Sequence, residues 1–372
     1  MRQMISSLSL NFIQRILKIS ICILSLLILV GCTNSEKGKV SADNSYNTSS
    51  NLKKSEIDVS EDEIMKTITK VSSIKRVLGS DGEKEIAKYL KDTMESYEYN
   101  VKYQDFEVFE VGDKEKDLIH DPNLDVFLDI NPLNNNNSKG IARNIIVKPK
   151  NFDKNKKTLY LVSHYDTTAA TTGVYDNATG VSSIVELARI LQNFHSNNFN
   201  IEFVFFSAEE YFKSGSRYFI SQLSESDRNN VLGAINIDMI GYKDFTYKDL
   251  PKVGNVEIIL TPWVKKDAFL TLFNEKFDNR YHVNNELGGV SDDLSFARLG
   301  VPTLYFADEN FATGYEIEKE NFDTQLKPVK PDIIANLCTD ISSFIKNFDI
   351  DKFNKLNSIS DNEKGTFEDY YK

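Results

Sequence analysis

Cysteine, histidine and tryptophan are all scarce in this sequence. Its 372 residues include 3 cysteines, 4 histidines and 1 tryptophan. Cys22 and Cys32 lie in or next to a hydrophobic N-terminal segment, which leaves Cys338 alone in the rest of the chain. Exported proteins can use disulfides, but a lone cysteine cannot form one within a monomer. We therefore expect stability to come from a hydrophobic core or from bound metal.

Positive charge is also in short supply. The chain has 44 Lys and Arg residues against 55 Asp and Glu residues, which gives a formal net charge of −11. An acidic chain repels the phosphate backbone, so we expect no nucleic-acid partner. The hydrophobic content of 41% is enough for one large domain, and no internal repeat is present.

A hydrophobic run long enough to span a bilayer comfortably is missing as well. The apolar run "ISICILSLLILV" covers 19–30 and follows three basic residues. With the next residues it resembles a bacterial lipoprotein signal peptide, whose lipobox is Leu29-Val30-Gly31-Cys32. The resemblance implies that Cys32 is lipidated, for example with palmitate, and anchors the exported protein to the outer face of the cell membrane. The alternative is an uncleaved membrane anchor.

Composition divides the rest of the chain. After the signal peptide at 1–31, residues 32–58 are rich in Ser, Asn and Lys and predict a disordered tether. Ser60 with Glu63 and Ser80 with Glu83 have capping-box spacing and predict two helix starts. We expect one catalytic domain over 59–348, a polar C-terminal tail over 349–372, and a monomer.

Strand-like and helical patterns alternate within the domain. Apolar runs such as "TLYLVSHYD", "IEFVFFSAEE" and "VLGAINIDMIG" predict strands, and "TGVSSIVELARILQNF" has an apolar face with helical spacing. "LDVFLDI", "ARNIIVKP", "VEIILTP" and "VPTLYFAD" predict further strands. Strands of near-continuous apolar residues that alternate with helices are covered on both faces, so the pattern predicts an α/β fold whose sheet is parallel at least in its centre.

Ionisable residues follow three of the predicted strands at the point where each strand ends. Ligands of open α/β sheets bind beyond these carboxyl ends. A loop residue, Asp176, precedes the next helix. One histidine with several carboxylates is the composition of a metal site, although an isolated Glu-Glu pair is more often a solvated strand end. The residues concerned are His164, Asp166, Glu209, Glu210 and Asp238.

Five motifs occur in a fixed order along the chain. They are "SHYDT", "YDNATG", "FFSAEEYFKSGS", "NIDMIG" and "GGVSDDLSFARLGVP". In this order they resemble the zinc-dependent aminopeptidases, a di-zinc family that includes bacterial leucyl aminopeptidase, aminopeptidase S and aminopeptidase Y and shares its fold with glutaminyl cyclases. The resemblance covers about 76–345. It implies a three-layer α/β/α sandwich with a mixed, centrally parallel sheet, as in zinc exopeptidases.

The resemblance also implies a role for each site residue. Asp176 matches the carboxylate that bridges two metal ions, and the Asp176-Asn177 peptide matches one that the family often holds cis. His164 and Asp238 match the other ligands of one ion, and Glu210 matches a ligand of the second. Glu209 matches the general base, and Asp166 matches the residue that orients His164.

One motif departs from the family pattern. The family has Ser-Asp-His where this chain has Ser291-Asp292-Asp293, so the ligand histidine is replaced by Asp293. Three interpretations remain open: a working two-metal site with Asp293 as ligand, one tight and one weak metal, or a decayed site. The ions would be zinc, or manganese or cobalt because oxygen ligands suit harder ions.

The other three histidines are not predicted to take part in the metal site. His282 lies eleven residues before Asp293 and is more simply read as a loop residue, while His120 and His195 receive no role. The family's later His-Thr element is also altered, since "YEIEKENFDTQ" keeps Asp323-Thr324 but has no histidine.

The functional prediction is an extracytoplasmic metal-dependent aminopeptidase that hydrolyses N-terminal residues from peptides through a metal-bound water. Glu209 would accept the proton from that water and return it to the leaving amine. Two alternatives stay open. A glutaminyl-cyclase-like acyl transferase would release pyroglutamate rather than a free amino acid. An inactive peptide-binding lipoprotein of the same fold would bind peptides without turnover.

Overall fold

The computed structural model describes residues 59–110, 133, 137–242, 255–260, 268–284, 291–309 and 323–357. All of them fall in the compact unit formed by 55–372. The predicted signal peptide, Cys32, the predicted tether, the strand at "LDVFLDI" and His120 lie outside the described residues. Among the helices that are described, none has the length and apolar character needed to cross a bilayer.

An eight-stranded mixed sheet forms the centre of the domain. Its spatial order is β1-β2-β4-β3-β5-β8-β6-β7. The four central strands, β4, β3, β5 and β8, are mutually parallel. The pairs β1–β2, β2–β4 and β8–β6 are antiparallel, and β7 lies parallel to β6. The predicted mixed, centrally parallel sheet is confirmed. In chain order the strands are Asn100–Phe109, Ser138–Lys148, Lys157–His164, Phe199–Phe206, Val231–Ile237, Val256–Ile259, His282–Asn284 and Thr303–Asp308.

Helices cover both faces of the sheet and produce the predicted three layers. Nine α-helices are described, from α1 to α9. The larger core packs α1, α2, α3, α6, α8 and α9 against one face, and a smaller core packs α4 and α7 against the other. Their bounds are Glu61–Val71, Asp81–Ser96, Thr179–Leu191, Ser214–Ser221, Glu225–Asn229, Ala268–Lys276, Asp293–Ala297, Pro331–Lys346 and Ile350–Asn357.

The central strands are buried on both sides because both faces are covered by helices. Every residue of β4 and β5 is buried, and so is every residue of β3 after Lys157. Such strands need no polar–apolar alternation, which explains why their sequences are largely apolar. Two strands were not predicted. β1 alternates charged and apolar residues along one edge of the sheet, and β7 has only three residues.

Both predicted helix starts are present, but neither capping box is complete. The hydroxyls of Ser60 and Ser80 accept the backbone N–H groups of Glu63 and Glu83 at 3.3 and 3.2 Å. The return contacts are different. The Ser60 N–H donates to Glu186 at 2.6 Å, and the Glu83 carboxylate accepts the Gly79 N–H and the Ser207 hydroxyl.

The fold continues beyond residue 348. Helix α9 covers Ile350–Asn357, and its Phe353 is 1% exposed and lies 5.2 Å from the Phe269 ring, centroid to centroid. The first residues of the segment predicted as a polar tail therefore pack on the core. Residues 358–372 lie outside the described part of the chain.

Candidate metal centre

The ionisable residues predicted to meet at one edge of the sheet do so. His164 is the last residue of β3, Asp238 directly follows β5, and Glu209 and Glu210 come shortly after β4. Because β3, β4 and β5 are parallel, their carboxyl ends lie at the same edge. Asp176 reaches this edge from the irregular turn Val174–Ala178 between β3 and α3.

His164 is at the centre of the cluster. Its Nε2 lies 3.0 Å from Asp176 Oδ1 and 3.3 Å from Asp238 Oδ1, and its Nδ1 lies 3.5 Å from Asp166 Oδ1. Burial alone would lower the imidazole pKa, but the nearby carboxylates of Asp238, Asp166 and Asp176 outweigh it and raise the pKa well above its usual value. The pocket around this ring therefore favours positive charge.

Asp166 positions the glutamate pair as well as the histidine. Its Oδ1 accepts the Glu209 N–H at 3.1 Å, and its Oδ2 accepts the Glu210 N–H at 3.3 Å. The same carboxylate lies against the His164 ring. It thus connects the end of β3 to the turn after β4, a wider role than the orientation of one imidazole implied by the resemblance.

Two residues, Asp323 and Arg76, stabilise the turn that carries Asp176 through hydrogen bonds. The Asp323 carboxylate accepts the Tyr175 N–H at 2.6 Å and the Asp176 N–H at 3.1 Å. Arg76, fully buried, donates to the carbonyl oxygens of Tyr165, Thr172 and Gly173. The Asp176-Asn177 peptide is cis, as the resemblance implied.

Neither of these supporting residues was assigned a role from sequence. Asp323 was noted only as part of an altered family element, and Arg76 belongs to no quoted motif. Burial raises the pKa of Asp323 to about 8, while the nearby Arg76 guanidinium opposes that rise. Arg76 lies between two predicted helices, and nothing in the neighbouring sequence indicates that it donates to carbonyl groups about 90 residues away.

Glu209 and Glu210 have different surroundings although they are neighbours in sequence. Glu210, His164 and Asp176 offer ligand atoms that all lie within 4.8 Å of one another. Among the described residues, these three form the group of potential metal ligands with this close spacing. The Glu209 side chain is 13% exposed, with Lys213 Nζ 4.0 Å from its Oε1. Burial raises the pKa of Glu209 to about 8, against the opposing effects of His164 and Lys213.

The departure from the family motif lies at the start of α7. Asp292 and Asp293 are both completely buried, and the Ser291 hydroxyl donates to Asp238 Oδ2 at 2.7 Å. Burial, with smaller contributions from Asp238 and Asp293, raises the pKa of the Tyr305 hydroxyl on β8. Asp293 therefore lies within electrostatic range of the cluster but outside its tight group of three.

Asp292 was not singled out from sequence. Burial raises its pKa to about 7, opposed by His164 and enhanced by Asp166 and Asp238. His282 lies on β7, where its Nδ1 is 2.6 Å from Glu257 Oε1. His195 lies 2.9 Å from the Asn151 amide. Both histidines have local partners. The interpretation of His282 as a loop residue is wrong, because it is the first residue of strand β7.

The cluster suits a divalent cation. Both His164 ring nitrogens, Asp176 Oδ1 and Asp238 Oδ1 are buried and accept or donate no hydrogen bond. Buried polar atoms are normally hydrogen-bonded, and imidazole with carboxylates is a set of donors that zinc and its neighbours accept. Like charges brought together out of water also repel unless a cation lies between them. The residues present therefore fit a metal.

A scan against protein-family models matches residues 144–341 to "Peptidase family M28". The chain belongs to peptidase family M28. All the residues of the cluster described above lie within the matched range.

Curated relatives of this M28 chain are aminopeptidases by name. Aminopeptidase YwaD of Bacillus subtilis is 36% identical over 96 residues, which are 26% of this chain and 21% of YwaD. Leucine aminopeptidase 2 of Arthroderma otae is 30% identical over 161 residues, 43% of this chain and 32% of the relative. The matches thus span a third or less of these relatives' length.

Solved structures show the same fold. The M28 chain superposes on BSAP, a zinc aminopeptidase from Bacillus subtilis, with a TM-score of 0.60 at 17% identity, covering 78% of this chain and 95% of BSAP. A glutaminyl cyclase from Porphyromonas gingivalis gives a TM-score of 0.58 at 15% identity, covering 77% and 98%. Because both activities occur on one fold, the superpositions support the architecture and do not choose between them.

Proposed function

We propose that this M28 chain is a metal-dependent aminopeptidase that removes N-terminal residues from peptides. The observation that carries the proposal is the cluster at the carboxyl ends of β3, β4 and β5, where His164 lies against Asp176 and Asp238 and beside Glu210. The aminopeptidase names of its curated relatives support the choice of reaction.

The metal would be held by the residues predicted from sequence. They are His164, Asp176, Glu210, Asp238 and Asp293, one histidine and four carboxylates. Four carboxylates match the charge of two divalent ions, and zinc is the first candidate because a related structure is a zinc aminopeptidase. A divalent ion held there supplies Lewis-acid polarisation of the scissile carbonyl.

Glu209 is the general base in this proposal. It is next to a ligand but outside the tight group of three, so its carboxylate is available for proton transfer. In that role it accepts a proton from the attacking water and passes it to the leaving amine. Asp166 fixes the backbone of Glu209 and so the direction of that carboxylate.

The acidic cluster also accounts for the choice of the peptide N-terminus. A free α-amino group is a cation at neutral pH, and a pocket lined by carboxylates attracts it. An acetylated N-terminus has no such charge. The proposal therefore includes a requirement for a free amine, while the side-chain preference is left open.

Export and anchoring belong to the proposal as well. The lipobox ending at Cys32 and the polar segment 32–58 support a lipid-anchored protein on the outer face of the membrane, acting on peptides outside the cytoplasm. Cys32→Ser should prevent processing at this position, so that the unprocessed precursor accumulates. Normal processing and membrane attachment of Cys32→Ser would contradict the anchor.

The test of function is a product assay. The metal-loaded protein is incubated with a peptide that begins with leucine, with the same peptide acetylated, and with one that begins with glutamine. We expect free leucine from the first and nothing from the second. Glu209→Gln should abolish the product while keeping the metal, and Glu257→Gln, a buried glutamate on β6, serves as the matched control.

Other products would favour the alternatives. The described ligand atoms form one tight group of three, which would suit a single ion and keeps the glutaminyl-cyclase-like reaction as the second candidate. Pyroglutamate from the glutamine peptide, without free amino acid, would overturn the peptidase proposal. Peptide binding with no product from any substrate would identify an inactive binding lipoprotein.

A further inference from the structure

A second pocket lies at the other end of the same strands. It has a volume of about 490 Å³ and is lined at Thr158 in β3, Glu202 in β4 and Asn230 just before β5. Thr158 and Asn230 are at the amino ends of the parallel strands, away from the metal centre, and Glu202 is in the amino-terminal half of β4. The volume is in the range of small-molecule sites, and no residue of the metal cluster takes part in its lining.

A buried carboxylate lies in the wall of this pocket. The Glu202 side chain is 2% exposed, and its Oε2 is buried without a hydrogen bond. The ion pair described for it is with Lys148, whose Nζ lies 3.3 Å from Oε2. Lys148 itself is 42% exposed and lies over the Phe152 ring, so it can move away from Glu202 without leaving the rim.

The rim of the pocket is basic although the chain as a whole is acidic. Lys102, Lys154 and Lys156 line it together with Lys148, against the single exposed acid Asp227. Asp227 is already engaged by the Ser224 hydroxyl at 2.7 Å. Lysine ammonium groups are mobile point charges that suit a carboxylate of variable position.

One wall of the pocket is apolar. Ile146, Phe219 and Leu223 line it and belong to the smaller hydrophobic core under α4. Buried Tyr160 lies beside them. The pocket thus offers an anionic group in its wall, cationic groups at its rim and an apolar surface between them.

We propose that this pocket binds a free apolar amino acid as a zwitterion, with its ammonium group on Glu202, its carboxylate on the rim lysines and its side chain against Ile146, Phe219 and Leu223. The ligand's ammonium group replaces that of Lys148 on Glu202, and Lys148 turns to the carboxylate. A simple anion would face the charge of Glu202, and a simple cation would face four lysines. Only a ligand with both charges satisfies both groups.

The proposal does not rest on peptidase activity. A free amino acid is the product of the proposed reaction, but binding at the far end of the sheet requires no turnover. A structural ion pair between Glu202 and Lys148 is the competing explanation, and it predicts no ligand at all.

The test compares leucine, which carries both charges, with two analogues that each lack one of them. Calorimetric titrations of the metal-loaded protein compare L-leucine, 3-methylbutylamine, which lacks the carboxylate, and 4-methylpentanoate, which lacks the ammonium group. We expect a binding event for leucine that is at least about tenfold weaker with either single-charge probe, since each of these probes loses one charged contact. Equal binding of 4-methylpentanoate would mean a simple anion site and overturn the proposal.

Variants separate this pocket from the metal centre. Glu202→Gln and the rim variant Lys154→Gln should each weaken or remove this event, and Lys66→Gln, an exposed lysine on α1, should leave it unchanged. Lys154 is exposed, so its substitution is compatible with folding even if the buried substitution is not. Leucine titrations that are identical in wild type, Glu202→Gln and Lys154→Gln would place all binding elsewhere and overturn the proposal.

Discussion

The two ends of β4 carry buried glutamates in opposite surroundings. Glu202, near the amino end, has the lysine ammonium of Lys148 3.3 Å away and a basic rim around it. Glu209, beyond the carboxyl end, shares its environment with His164, Asp238 and Asp292. Burial raises the pKa of both carboxyls, to about 7 for Glu202 and about 8 for Glu209.

The difference lies in what compensates the charge. At the amino end Lys148 of the same chain supplies a cation 3.3 Å from Glu202. At the carboxyl end the carboxylates outnumber the cationic groups, and several buried atoms there have no hydrogen bond. A buried charge without a partner is costly, which is why the carboxyl end calls for a metal, whereas Glu202 has a mobile lysine that a ligand's ammonium group can replace.

The largest expected effect is on turnover at the carboxyl end. Glu209→Gln keeps the shape of the side chain but removes the proton acceptor, so we expect kcat to fall about 10²–10⁴-fold. Metal content should stay at the wild-type level because Glu209 is outside the tight ligand group. Steady-state kinetics with elemental analysis measures both, and near-normal turnover would refute the assignment.

The next effect concerns stability against pH at the amino end. The Glu202 pKa is raised by folding from 4.5 to about 7, so the native state binds the extra proton between these values and stability falls as pH rises through this range. Glu202→Gln cannot ionise and should be more stable than wild type at pH 8 by about 3 kcal/mol, with no advantage at pH 4.

Thermal unfolding of both proteins from pH 4 to pH 8 measures this difference. The difference should develop between about pH 5 and pH 7, where Glu202 is ionised in the unfolded chain but still protonated in the folded one. A variant that parallels wild type at every pH would mean that Lys148 compensates Glu202 completely.

A smaller effect should follow removal of metal. A ligand present at about 100 times its dissociation constant stabilises the native state by about 2.7 kcal/mol, and chelation removes that contribution. Because the two ends are separate sites, the loss should be the same in wild type and Glu202→Gln. Calorimetry with and without chelator tests this additivity, and an unequal loss would mean that the two ends are coupled.

The same contrast shows which features of the fold and of the site could be predicted from the sequence. The buried strands β3, β4 and β5 could be predicted because they are largely apolar, and the polar residues that follow them could be placed at one edge by topology alone. Glu209 and Glu210 could be assigned different roles only through the family resemblance. The contacts of Asp166 with their backbone N–H groups depend on turn geometry after β4.

Other features depend on contacts between distant segments. Arg76 supports the Asp176 turn through carbonyl groups, which leave no trace in residue type. Glu83 fits a capping box by spacing, yet its carboxylate binds Ser207 across the domain. Edge strand β1 was not predicted, because the charged residues on its exposed face interrupt any apolar run. The pocket at Glu202 arises from β1, β2, β4 and α4 together, so no single motif indicates it.

The most direct test of the account is the number of metal ions bound by the carboxyl end. Elemental mass spectrometry of the purified protein, loaded with zinc and dialysed, should find about two ions per chain. Asp293→Ala should lower the number to about one, while Asp351→Ala on the exposed face of α9 should not. Absence of bound metal in wild type, or an unchanged count in Asp293→Ala, would contradict the proposed centre.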